Sequence, residues 1–139
     1  MSFTHPIRWR LVLLAGFLAE LSIFAIFFVL LRIAALAGVP ELAAPESTLD
    51  YIDAMVSSFA AMFLFTLWVG KRIESGFVVH GALVGLVGVL LFTALIFGLS
   101  GSLAQPPLYV VAHVLKILGG IAGGLVAQKR VARRTLLQA

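Results

Sequence analysis

Residues 11–37 read LVLLAGFLAELSIFAIFFVLLRIAALA, an apolar run charged only at Glu20 and Arg32. A helix rises 1.5 Å per residue, so about 20 apolar residues cross the hydrocarbon core of a bilayer. This run exceeds that length. It is also much longer than the roughly 7–15-residue apolar core of a secretory leader and holds an acid, so it reads as a retained span. Three more stretches of the same kind follow at 51–69, 77–99 and 107–127. Turn chemistry separates them: Gly38-Val39-Pro40, then Gly70 to Gly76, then Ser100-Gly101-Ser102 with Pro106-Pro107. Ser47 followed by Asp50 resembles a capping box opening the second span, and Ser75 is placed to cap the third.

Composition agrees. Of 139 residues, 62% are hydrophobic and only 12% charged, against roughly half and a quarter in soluble domains. The mean hydropathy is +1.13. Disorder requires the opposite balance. The absence of cysteine excludes disulfides, thiolate metal sites and covalently attached haem. The expected fold is an all-α membrane protein: one domain, residues 1–139, forming a four-transmembrane-helix bundle with a basic tail over 128–139.

Arg8, Arg10, Lys71, Arg72, Lys129, Arg130, Arg133 and Arg134 all fall on one side of a four-crossing chain. The positive-inside rule makes that side cytoplasmic and puts both termini there. Glu41, Glu46, Asp50 and Asp53 mark the other side. Trp9 and Trp68 fall at the inner interface, Tyr51 and Tyr109 at the outer one, as aromatic belts do. This topology accounts for the net charge of +4, and no soluble module is left to read nucleic acid. The expected partner is the lipid bilayer, whose anionic headgroups the tail is also able to touch.

Two bases remain. Arg32 falls at the outer headgroups, where it can snorkel. Lys116 falls near mid-membrane, where a charge costs at least about 2.5–3.5 kcal/mol, which makes it a functional-site hypothesis. Glu20 is its expected partner, because the two lie roughly 14 and 16 Å from the cytoplasmic edge. They can meet if spans one and four are neighbours. Ala112, His113, Gly119, Gly120, Gly123 and Gly124 all project within about 80° of Lys116. Around Glu20 only Gly16 is small, so its partner must come from another helix.

Gly119-Gly120-Ile121-Ala122-Gly123-Gly124 contains two overlapping GxxxG pairs, and Gly81, Gly85 and Gly88 line one face of span three. Small residues let membrane helices approach closely. The neighbour is another helix of the same bundle, a second copy of the chain, or a larger membrane complex. His80 and His113 are about 16 Å apart along the membrane normal, too far to share one haem. His5 lies outside the membrane. His113 extends a polar relay to Lys116 or hydrogen-bonds a neighbouring helix. Asp50 and Asp53 read as N-terminal carboxylates of span two, with acid–base or cation chemistry as the alternative. No cofactor or metal motif is present.

Leu18-Ala19-Glu20 in the first of four spans is similar to the membrane-embedded glutamate of small multidrug-resistance transporters. That family exchanges protons for aromatic cations in an antiparallel dimer. This chain departs from it in having no Trp or Tyr in span three, a longer acidic first loop, Lys116, and a one-way charge bias that opposes dual insertion. A broader likeness runs through Gly70-Lys71-Arg72, His80-Gly81-Ala82-Leu83-Val84-Gly85, Ala112-His113-Val114-Leu115-Lys116 and Gly119-Gly120. These resemble small four-span bacterial inner-membrane proteins of no known activity. That resemblance implies a bacterial inner-membrane location and no mechanism.

Two functions follow from the residues. One is a non-enzymatic structural or accessory bundle whose Glu20–Lys116 pair sets helix register. The other is a small proton-coupled transporter or permeability protein using Glu20, with His113 and Lys116 along the path. An enzyme ranks third, for want of a catalytic constellation.

Overall fold

The computed structural model describes residues 6–39 and 47–138; the readings placed on His5, Pro40, Glu41 and Glu46 lie outside them. Four helices are long and apolar enough to cross a membrane: α1 (Trp9–Leu36), α2 (Thr48–Gly70), α3 (Phe77–Ser100) and α4 (Pro107–Gln138). There is no strand among the described residues. The outside of the bundle is as apolar as its inside. Leu13, Leu14, Phe17, Leu21 and Val29 of α1 are exposed, a surface suited to lipid rather than water.

The helix ends follow local chemistry. α1 stops in a Schellman motif: Val39 N–H donates to Ala34 O, Gly38 N–H to Ala35 O, and Gly38 takes φ +72°. α2 begins three residues earlier than the apolar run, because Ser47 caps it by accepting from Asp50 N–H at 3.2 Å. Ser75 is not the cap of α3; Gly76 holds that position at φ 66° with no side-chain bond. α4 outruns its apolar stretch. It does not stop near residue 127 but runs unbroken through the basic tail to Gln138. Residues 128–138 carry no Gly or Pro and are mostly Gln, Lys, Arg, Ala and Leu, all good helix formers. Its 32 residues measure about 48 Å, well beyond a hydrocarbon core of about 30 Å.

The packing order, which the sequence left open, does not make spans one and four neighbours. α4 packs extensively on α2 and α3, and α1 packs on the same two helices. Spans one and four are therefore diagonal, not neighbours. Depth along a span follows from counting residues, whereas order around the bundle depends on which faces fit together.

Those faces are glycine-rich. Gly120 and Gly124 lie against the backbone of Gly81 and Phe77 on α3, while Gly119 and Gly123 lie against the backbone of Phe59 and Phe63 on α2. Each GxxxG pair thus faces a different neighbour within the chain. Close approach of backbones gains dispersion contacts in a setting where hydrophobic burial gives helices no reason to associate. The core is concentrated at the basic end, where α1 begins and α4 ends, in Val12, Ala15, Ala19, Met62, Val69, Phe77 and Val84. A small second cluster, Ala54, Leu108 and Ala112, sits toward the opposite, acidic end.

Candidate functional site: a buried ion pair beneath an aromatic cavity

Glu20 lies on the buried stripe of α1 with Ala15, Gly16, Ala19 and Ile23. Lys116 lies on the inward face of α4, and the two residues are 4% and 2% exposed. Lys116 Nζ donates to Glu20 Oε1 at 2.7 Å. The diagonal is bridged because α3 presents no side chains in the way. A methyl added at Gly85 would lie 2.6 Å from the Lys116 carbonyl oxygen, and one at Gly88 would lie 3.1 Å from Glu20 Oε2. The glycines Gly81, Gly85 and Gly88 thus bring α3 close to α4 and leave room for the acid.

The ammonium has a second neighbour, the Phe92 ring, whose centroid is 4.5 Å from Nζ. A cation over an aromatic face is attracted by the ring quadrupole. Phe92 also stacks with Phe24 at 6.1 Å, meets Tyr109 at 5.3 Å and receives the edge of His113 at 5.4 Å. It joins α1, α3 and α4. The sequence reading passed over it, although it lies four residues beyond Gly88 on the same glycine-lined face of α3.

A cavity of about 80 Å³ extends from Lys116 toward the acidic end, lined by Phe24, Phe27, Asp53, Ser58, Phe92 and His113 among others. Asp53 is buried and does not sit in the first turn of α2. It belongs to a π-helical turn, Asp53–Ser57, where its Oδ1 accepts from Ser57 Oγ at 2.6 Å. Such wide turns are rare and shift side chains relative to a regular helix; no sequence signal marks this one. Asp50 stands nearer the helix start, where Tyr109 of α4 donates to its Oδ2 at 3.5 Å.

His113 lines the cavity, but its partner is neither Lys116 nor a neighbouring helix. Its Nε2 is 2.9 Å from Oε1 of Gln105, which belongs to the link just before α4. Pro106 and Pro107 turn the chain between them, bringing a residue eight positions earlier within reach. Nδ1 of His113 and Oε2 of Glu20 are buried without a partner among the described residues. His80 is at the basic end and only 3% exposed. Its Nδ1 lies 2.8 Å from Gly76 O and its Nε2 accepts from Arg8 N–H at 3.1 Å. The ring ties the start of α1 to the start of α3, a role the sequence reading missed.

Among the described residues no three His, Asp or Glu side chains converge as metal ligands would. The arrangement combines a neutralised charge pair at mid-helix, an aromatic wall and a polar approach from the acidic end. No protein-family model, curated protein or solved structure matches the chain.

Proposed function

We propose that this chain is a non-enzymatic structural or accessory bundle of the bacterial inner membrane, with both termini cytoplasmic and the Glu20–Lys116 pair setting helix register. The observation that carries the reading is the 2.7 Å contact between two buried, oppositely charged groups on diagonal helices. Sliding α1 by one turn past α4 moves Glu20 about 5.4 Å and leaves two unpaired charges in hydrocarbon. Only one register avoids that cost, so the pair selects it even where its net stabilisation is small. The basic end supports the orientation, since it gathers Arg8, Arg10, Lys71, Arg72, Lys129, Arg130, Arg133 and Arg134.

The second reading, a small proton-coupled transporter or permeability protein using Glu20, is favoured by one observation. A cavity reaches Lys116 from the acidic end, and the far oxygen of its partner acid has no hydrogen bond among the described residues. The two readings part on proton flux. Purified chain in liposomes holding a pH-sensitive dye, under an imposed gradient, is expected to leak no faster than protein-free vesicles. Flux above that background, abolished by Glu20→Gln in a folded protein, would replace the structural reading with the transport one.

A further inference from the structure

At the basic end α2 stops and α4 continues. Gly70, the last residue of α2, packs directly on Ala127 of α4. Beyond that contact α4 runs on alone, and the step between the two helices is a cavity of about 60 Å³. Its floor is apolar, made by Leu67 and Ala127, and its rim carries Lys71, Arg130 and Arg134. Arg130 and Arg134 are one helical turn apart on one face of α4, and Lys71 reaches in from the C-cap of α2. No acid lines this groove. The ion pair between Glu20 and Lys116 is the one found among the described residues, and none of the three cations has an ion-pair partner among them. Arg72, next in sequence to Lys71, is committed elsewhere: it lies over the Trp68 ring at 4.1 Å and reaches the Trp68 carbonyl.

We propose that this groove is a binding site for the phosphate of an anionic phospholipid. Two guanidinium forks and an ammonium supply charge-assisted donors to phosphate oxygens. The Leu67–Ala127 floor offers an apolar surface to the start of an acyl chain. The site stands where α2 ends and a span-length stretch of α4 ends with it, the level at which headgroups lie. A zwitterionic headgroup has the same phosphate but carries its own cation, which three bases repel. The inference is independent of how Glu20 and Lys116 function.

The test is thermal unfolding of the full chain in a neutral detergent, titrated with phosphatidylglycerol, phosphatidylcholine of the same chain length, and inorganic phosphate. Phosphatidylglycerol is expected to raise Tm saturably, and the other two to leave it unchanged. Arg130→Gln with Arg134→Gln is expected to weaken the apparent affinity about tenfold or more, the loss of two charge-assisted contacts. Lys129→Gln with Arg133→Gln removes the same charge from the neighbouring face of α4, outside the groove, and is expected to change it less than about twofold. All these positions are exposed, so the lipid-free Tm of both variants stays near that of the parent. Lys71→Gln, on the other helix, provides an independent loss. Equal losses in the two double variants would mean diffuse attraction and overturn the site. So would no response to phosphatidylglycerol. An equal response to inorganic phosphate would overturn the lipid as its source.

Discussion

Gly81 of α3 and Gly120 of α4 meet backbone to backbone, and a methyl added to either would fall on the carbonyl oxygen of the other. Gly81→Ala or Gly120→Ala should therefore force the two helices apart, at a cost of about 1–3 kcal/mol for overpacking. Gly98, also on α3, has nothing within 4 Å of an added methyl. Gly98→Ala should be neutral or slightly stabilising, because alanine is the better helix former. Unfolding in detergent checks both. Equal effects at the three sites would remove the close-approach argument.

The ion pair should behave as a coupled unit. Lys116→Met leaves the buried Glu20 without its partner, and Glu20→Gln leaves the ammonium uncompensated. Each single change should cost about 3–5 kcal/mol, whereas the double change should return most of it. A double variant no more stable than either single one would show that the contact does not couple α1 to α4.

His80 predicts a local effect. His80→Ala removes the acceptor for Arg8 N–H, which should cost about 1–3 kcal/mol as a lost hydrogen bond at a partly buried helix start. Amide exchange at Arg8 should accelerate, and the first turn of α1 should fray. His113→Ala, at the other end of the bundle, should leave exchange at Arg8 unchanged. The comparison separates a specific tether from general loosening.

The proposed orientation can be read directly, since the chain has no cysteine to give background. An impermeant maleimide should label Ser102→Cys, in the α3–α4 link, on intact spheroplasts. It should reach Ser75→Cys, in the α2–α3 link, only after lysis. The reverse pattern would invert the assignment of the basic end.

The number of helices and the levels of Glu20 and Lys116 were legible because both depend only on run length and rise per residue. Which helices touch was not. The diagonal placement of α1 and α4 is decided by the glycine faces of α4, each of which takes a different neighbour, and periodicity alone does not assign neighbours. His113 shows a second limit. Its position on the Lys116 stripe was readable, but its partner Gln105 comes into reach only through the turn at Pro106-Pro107. The π-helical turn at Asp53 and the clustering of rings on Phe92 depend on tertiary packing, and a one-dimensional pattern carries little trace of either. The continuation of α4 through the tail was not legible for a simpler reason: a change from apolar to basic residues ends a span without ending a helix.

No residue of α3 beyond Gly88 is buried, and past Ile23 the only buried residue of α1 is Ala34. Past those points the two helices meet the rest of the bundle through partly buried side chains such as Phe24 and Phe92. A change in bilayer thickness or lateral pressure will accordingly deform the molecule unevenly. The glycine seam at the basic end is expected to yield least, and the rings around Lys116 on its far side to yield most.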